Sequence, residues 1–285
     1  MQAIASVMNQ KSGLKYEIIV YDDGSTDRTF ELFKSKDKRI KYIFSKVNKG
    51  VNAARNRAIA IAKGDYVLFL DSDDTLSSNC FQTIEEFSGK LGFVNFLGTA
   101  EKNSGKKLYT LDETGKYDYK EWLAGSRIKG EFIGLIKRTV FNKYKFDEER
   151  FCFEKFFWNR VIKRYGIFAI DQVCRLYSFE EANRVSKALL SPEKVSHRYH
   201  DYLKYLEEFK NDYIKFNLKK QLSEVLMRVG LYACLAGDVA QGRAFLLRSC
   251  RINLSVSAFG LLLASLFGRK FVKMVYSSFQ MFQRI

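Results

Sequence analysis

Tyr16-Glu17-Ile18-Ile19-Val20-Tyr21-Asp22-Asp23-Gly24-Ser25-Thr26-Asp27 is the stretch whose reading decides the fold. Residues 16–21 form a near-continuous apolar, β-branched run, as expected of a strand buried in a parallel sheet. An acidic cluster ends the run. Ser25, Thr26 and Asp27 then supply N-cap chemistry for a helix carrying Phe30 and Phe33. The pattern recurs: residues 66–70 read as a strand and lead into Asp71-Ser72-Asp73-Asp74-Thr75. Carboxylates packed this tightly repel one another. Two such clusters in a chain of net charge +16 point to a site that holds a cation and something the cation neutralises.

Outward from these clusters, strands and helices alternate. Residues 40–44 read as a strand, 51–63 as an alanine-rich helix stopped by Gly64, 79–87 as a helix and 93–97 as a strand. Such alternation predicts a doubly wound α/β sheet, whose ligands sit beyond the carboxyl ends of the strands. Both acidic clusters fall at that edge. Residues 101–130 read as irregular, punctuated by Gly105, Gly115, Gly125 and Gly130. A strand at 132–136, a helix at 154–164 and one or two strands at 168–177 follow. From Pro192 onward the pattern is helical only: 194–216, then a hairpin of 218–235 and 239–250 around Ala236-Gly237-Asp238. Residues 252–283 form a last apolar, basic helix or broken helix. The expected organisation is an α/β domain at 1–180 and a basic helical region at 181–285.

Composition sets outer bounds. The 285 residues, 47% apolar and 28% charged, suit an ordered protein with a substantial core. Five dispersed cysteines without a C-x-x-C pair read as reduced thiols, and no secretion signal is seen, so a cytoplasmic location is expected. No apolar run reaches the length of a transmembrane helix. Residues 1–100 carry a balance of +2, and residues 101–285 carry +14. Such charge suits nucleic acid, anionic lipid or phosphorylated substrates. A carboxylate-lined edge repels a polyanion and no nucleic-acid motif is present, so nucleic acid is not an expected partner.

Asp71-Ser72-Asp73 places two carboxylates one residue apart. Where the backbone turns sharply, both reach a hard divalent ion; the same triplet also suits a solvated turn capping the next helix. Asn48-Lys49-Gly50 and Asn52-Ala53-Ala54-Arg55-Asn56 lie between the clusters and place cations and amides at a helix start, which favours phosphate.

Several segments together resemble family 2 glycosyltransferases of the GT-A fold. They are Gln10, Glu17-Ile18-Ile19-Val20, Asp22 to Thr29, Asn48-x-Gly50, Ala54-Arg55-Asn56, Ala62-x-Gly64-Asp65-Tyr66 and Phe69-Leu70-Asp71-Ser72-Asp73-Asp74. The resemblance spans residues 3–180. It implies transfer of a sugar from a nucleotide-sugar donor, usually a UDP-sugar, to an acceptor hydroxyl with inversion. The carboxylates of Asp22 and Asp23, at the end of their strand, suit hydrogen bonds from a nucleobase or ribose; the resemblance further implies that Asp23 meets the base, that Arg55 lies near the nucleotide, and that Asp71 faces the ribose. Asp73, with Asp74, would hold a Mn²⁺ or Mg²⁺ ion bridging the diphosphate. The family's Gly-Glu-Asp segment, aligned on Phe157-Trp158, falls on Cys152-Phe153-Glu154, which makes Glu154 the implied general base. Glu154 equally suits a helix start, where a carboxylate favours the dipole.

The resemblance also implies a departure. Family members open with an apolar strand that lies mid-sheet, whereas Met1 to Gln10 resembles the end of the helix after it. A neighbouring strand is then expected to show unpaired backbone groups. Two readings follow: an active transferase, or a catalytically impaired relative that binds a nucleotide-sugar or a membrane. Family acceptors are often saccharides or lipid-linked, in surface polysaccharide or glycolipid synthesis. Residues 252–283, apolar and then basic, suit either an interfacial helix on an anionic membrane surface at the inner face of the cell membrane or a helix packed on the protein. His197 and His200 lack the further ligands a zinc site needs, and Trp158 reads as a core residue.

Overall fold

A computed structural model describes residues 2–27, 29, 37–149, 152–178 and 191–282. The chain divides into two compact units, Met1–Ala182 and Asn183–Ile285. The helix expected to carry Phe30 and Phe33 lies outside the described residues.

The first unit runs α1 (Gln2–Met8), β1 (Ile18–Asp22), β2 (Ile40–Phe44), α2 (Val51–Ile61), β3 (Tyr66–Leu68), β4 (Thr75–Leu76), α3 (Cys80–Glu86) and β5 (Val94–Glu101). It continues with β6 (Tyr109–Leu111), β7 (Gly115–Tyr117), α4 (Tyr119–Ala124), β8 (Ile128–Gly130), β9 (Phe132–Lys137), α5 (Lys155–Tyr165) and β10 (Ile167–Tyr177). Residues 101–130, expected to be irregular, instead hold three short strands and a helix. The helix α4 opens on a reciprocal capping box between Asp118 and Glu121 and stops at Gly125 in the left-handed conformation.

The strands form the mixed arrangement expected of a GT-A-like doubly wound sheet. β1 and β2 pair in parallel, with Ile18 opposite Ile40. The larger sheet runs β3-β9-β5-β10-β4, with β7 added on β10. There β5 and β10 are parallel, while β9 is antiparallel to both β5 and β3. Among the described residues β1 pairs only with β2 and β3 only with β9, so each keeps one edge without a ladder. The two sheets are tied at one end by Glu17, whose Oε1 accepts the backbone N–H groups of Lys63 (2.6 Å) and Gly64 (3.2 Å), just before β3. β1, β2 and β3 are mostly half-buried, whereas seven of the eight β5 residues are buried.

Strand alternation gives the larger sheet two apolar faces. On one, Cys80, Phe81 and Ile84 of α3 pack over Leu97, Ile133, Leu135, Phe168 and Ile170. On the other, Trp158 of α5 stands against Phe96, 5.1 Å between ring centroids. Gly134, opposite Phe96 on β9, leaves the room: a Cβ there would lie 2.4 Å from Trp158 Cη2. Each large apolar side chain buried this way contributes roughly 1.5–3 kcal/mol. Half-buried Trp158 thus fixes α5 on the sheet, and with it the helix start at Glu154.

The second unit is helical throughout its described residues: α6 (Pro192–Lys215), α7 (Lys219–Ala236), α8 (Val239–Ile252), α9 (Val256–Leu266) and α10 (Arg269–Phe282). Ser191 caps α6 and Pro192 occupies its first turn, where a missing N–H costs nothing. The terminal apolar segment is a broken helix, with α9 and α10 separated by Phe267 and Gly268.

Candidate active site

The site is built around α2. Just past β1, the Asp23 carboxylate accepts the backbone N–H groups of Lys49 (3.1 and 3.0 Å) and Gly50 (2.6 Å). Gly50 is the N-cap of α2 with φ 93°, a conformation strained for any residue with a side chain. The first acidic cluster therefore fixes where α2 begins. Asp22 is turned inward, only 6% exposed. Its Oδ1 accepts the Ser25 N–H at 2.8 Å, and its Oδ2 accepts the Tyr42 hydroxyl. Burial opposes ionisation of Asp22, but the bonds from Tyr42 and Ser25 outweigh it and hold the carboxyl below its usual range. Asp22, expected to meet a nucleoside, has both carboxylate oxygens hydrogen-bonded within the protein.

One side of α2 carries Asn52, Arg55 and Asn56, spaced to share a face. The Asn52 amide donates to the carbonyls of Asp147 (2.9 Å) and Cys152 (3.3 Å). Asn56 donates to the Phe146 carbonyl (2.8 Å) and accepts its N–H (3.1 Å). These two amides hold the backbone that leads to Glu154. Between them Arg55 reaches two carboxylates: Nη1 lies 2.5 Å from Glu154 Oε1 and Nη2 lies 3.0 Å from Asp71 Oδ1. The rings of Phe69 and Phe146 flank the guanidinium, with centroids 5.5 and 5.6 Å from Cζ. Burial alone would lower the Arg55 pKa, but the attraction of Glu154 and Asp71 outweighs it and raises the pKa further.

Glu154 is the N-cap residue of α5 yet makes no side-chain cap bond. Its carboxylate points to Arg55 and remains 39% exposed, open to an incoming group. Asp71 follows β3 and is 46% exposed. A tight turn, closed by the Asp74 N–H to the Asp71 carbonyl at 3.1 Å, places half-buried Asp73 beside it. Asp74 departs from expectation. It is fully buried, with Oδ2 3.6 Å from Arg175 Nη1 of β10 and Oδ1 accepting the Ser178 N–H at 3.3 Å. Burial pushes its carboxyl up to about 6, against the pull of Arg175. Asp74 is thus engaged with Arg175 and Ser178, while its charge still feels those of Asp73 and Asp71 on the same turn.

The chemistry of the remaining donors fits a hard divalent ion. Asp71 and Asp73 offer carboxylate oxygens one residue apart on a partly exposed turn, and Mg²⁺ is commonly bound by one or two carboxylates plus substrate phosphates. Among the described residues no group of three or more His, Cys, Asp or Glu side chains forms a complete protein cage. Such an ion would therefore depend on its anionic ligand.

The structure thus brings Asp71, Arg55 and Glu154 together, with Asp73 adjacent and Asp23 at the start of the same helix. Asn52 and Asn56, expected as amides favouring phosphate at a helix start, instead hydrogen-bond the backbone of Phe146, Asp147 and Cys152, and Phe146 is a site residue that the sequence reading does not include. Their signal was present: two amides four residues apart on an alanine-rich helix have to be satisfied by something other than that helix.

The chain belongs to glycosyl transferase family 2, whose model matches residues 1–162. It is a glycosyltransferase with an α/β, GT-A-type fold, as the sequence resemblance implied, and with the helical C-terminal region expected from the sequence pattern. It is 28% identical, over 93% of its length and 88% of the relative's, to the GalNAc(5)-diNAcBac-PP-undecaprenol beta-1,3-glucosyltransferase of Campylobacter jejuni. An uncharacterized glycosyltransferase of Haemophilus influenzae is 35% identical over 51% of this chain, and the match spans 59% of that protein. The minor teichoic acid biosynthesis protein GgaA of Bacillus subtilis is 33% identical over 59% of this chain and 42% of its own length. Among solved structures, S. aureus TarS 1-349 in complex with UDP-GlcNAc superposes with a TM-score of 0.63 at 17% identity, covering 98% of this chain and 87% of that one.

Proposed function

We propose that the chain is an inverting glycosyltransferase that moves a sugar from a nucleotide-sugar, a UDP-sugar in first place, to the hydroxyl of a lipid-linked glycan. The product would enter a surface polysaccharide or glycolipid. One observation carries the reading: a single mostly buried guanidinium, Arg55, joins the exposed carboxylate of Glu154 to Asp71 at the end of the neighbouring strand. Donor side and base side are held within the span of one side chain.

In this reading Glu154 accepts the acceptor's hydroxyl proton as that oxygen bonds to the anomeric carbon. The bond from that carbon to the phosphate oxygen breaks, and the nucleoside diphosphate leaves with the electron pair. Arg55 aligns the Glu154 carboxylate. Asp23 holds the Asn48–Gly50 turn as the rim for the nucleoside, and Asp71 faces the ribose. Asp73, with Asp71, would hold Mn²⁺ or Mg²⁺, whose contribution is to stabilise negative charge on the leaving diphosphate. The Campylobacter relative is named for transfer to an undecaprenol-linked glycan, and TarS was crystallised with UDP-GlcNAc. These support the donor and acceptor classes.

The test is a panel of UDP-sugars with Mn²⁺, read as UDP release and donor binding, for wild type and Glu154→Gln. Turnover lost with donor binding kept is expected; wild-type turnover in the variant would overturn the base assignment. The half-buried β1 and β3, which among the described residues pair only with β2 and β9, favour a second reading: a relative that binds nucleotide-sugar without turning it over. Donor binding without UDP release in the wild type selects that one.

A further inference from the structure

Helix α9 is apolar on both sides. Ala258, Leu261 and Ala264 are buried, and Leu261 and Ala264 pack with Leu231, Leu246 and Val272 in the core of the helical unit. The opposite side carries Val256, Phe259, Leu263 and Leu266, at the spacing of one helical stripe, and all are exposed. Val256 is 86% exposed and Leu266 59%, so this is no grazing exposure. Leu254 extends the stripe before the helix at 71%, and Phe267 extends it after at 73%. The Phe267 ring packs on Phe271 of α10, 5.1 Å between centroids, which carries the apolar surface onto the next helix, where Met274 is also exposed. Scattered exposed apolar residues need no explanation, but a contiguous stripe marks a binding surface.

Charge identifies what it binds. Between residues 239 and 282 there are six basic residues, Arg243, Arg248, Arg251, Arg269, Lys270 and Lys273, and no acidic one. Exposed Arg248 and Arg251 precede the stripe in sequence, and exposed Arg269, Lys270 and Lys273 follow it. An apolar stripe with cations at both ends matches a bilayer interface, where acyl chains take the apolar groups and anionic headgroups take the cations. A protein partner's apolar patch would account for the stripe but not for the exclusion of acidic residues. Eleven residues of α9 rise about 16 Å, half a hydrocarbon core. None of the helices among the described residues is long and apolar enough to cross a membrane.

We infer that the outer face of α9, with Phe267 and the start of α10, docks this chain on an anionic membrane surface, lying in the interface rather than spanning it. A lipid-linked acceptor would be met at that surface. Vesicle binding needs neither donor nor Glu154, so its failure would leave the transferase reading standing.

The test is sedimentation of the full chain with vesicles of phosphatidylglycerol in phosphatidylcholine and with phosphatidylcholine alone. Binding to the anionic vesicles that weakens with salt is expected. Phe259→Ser combined with Leu263→Ser should weaken it about tenfold or more, and Lys270→Glu combined with Lys273→Glu by a similar factor. Each pair changes exposed residues only, so thermal melts should stay near wild type. If the wild type remains unbound by both vesicle types, or both double variants bind as it does, the inference fails. If sedimentation velocity shows a dimer that the serine pair makes monomeric, while vesicles capture nothing, the face belongs to a second copy instead.

Discussion

Arg55 Nη1 sits 2.5 Å from Glu154 Oε1 while Nη2 of the same guanidinium sits 3.0 Å from Asp71 Oδ1. A planar fork can serve two carboxylates at once; an ammonium on a flexible stem holds a single point. If the bridge aligns the base, Arg55→Lys should keep the fold, since the positive charge and most of the volume remain. Turnover should fall by about tenfold or more, because small misplacements of reacting groups are costly. Circular dichroism and UDP-release kinetics on the purified variant check both halves. Wild-type kcat in Arg55→Lys would mean the bridge has no aligning role.

Glu154 owes its place to packing on the far side of the sheet. Trp158 follows it by one helical turn, its N–H bonded to the Glu154 carbonyl at 3.1 Å, and its indole fills the space above Gly134. Gly134→Ala puts a methyl 2.4 Å from Cη2, so the Trp158 indole has to shift and strains its hold on α5. A loss of about 1–3 kcal/mol is expected, together with reduced turnover. Trp158→Phe in the Gly134→Ala background removes the clashing ring, and the second change should then cost much less than it does alone. Strictly additive losses in urea melts would show that the two residues do not share this space.

The local elements were legible because their signals are local. The apolar run at 16–21 and the helix pattern at 51–63 reappear as β1 and α2, and residues 40–44 as β2. The three-residue strands β6, β7 and β8 were not read, because three residues give no periodicity to recognise. The capping box of α4 is legible at Asp118 and Glu121, although the surrounding glycines make the segment read as irregular. The site divides in the same way. Glu154, Asp71 and Arg55 stand in motifs, and the structure brings them together. Asp74 stands in the same motif but is buried, for a reason located on another strand: Arg175 lies a hundred positions away, and β10 shifts register twice before reaching it. Asp22 is similar, since its partner Tyr42 comes from pairing β1 with β2.

Asp22 and Tyr42 also give a pH signature. The Asp22 carboxyl is held below its ordinary range in the folded state. Between the folded and unfolded values the unfolded chain binds more protons, so stability is present above the unfolded value and is lost as pH falls through the folded one. Tyr42→Phe removes a hydrogen bond to the ionised form and moves Asp22 back toward its ordinary value. At neutral pH the variant should be less stable by about 1 kcal/mol. The gap to wild type should close as pH falls far enough to protonate Asp22 in both. Urea melts at a series of pH values test this; a gap that stays constant would show that Tyr42 acts through packing alone.

The last relationship decides what Asp74 is for. Arg175 donates from Nε to Thr99 Oγ1 at 3.0 Å, reaches Glu131 at 3.3 Å, and faces Asp74 at 3.6 Å. Asp74 Oδ2 is buried without a hydrogen bond, so Arg175 supplies charge rather than a bond. Removing the cation leaves an uncompensated buried carboxylate. Arg175→Met should therefore destabilise by about 3 kcal/mol at neutral pH, and Asp74→Asn in the same chain should recover much of that loss. Asp74→Asn alone leaves Arg175 its other partners and should cost less. A metal ligand would behave differently: its loss would weaken Mn²⁺ binding while stability without metal held. Mn²⁺ titration of Asp74→Asn beside Asp73→Asn, with melts of each, separates the two roles. Weakened binding confined to Asp73→Asn is the outcome that the burial of Asp74 requires.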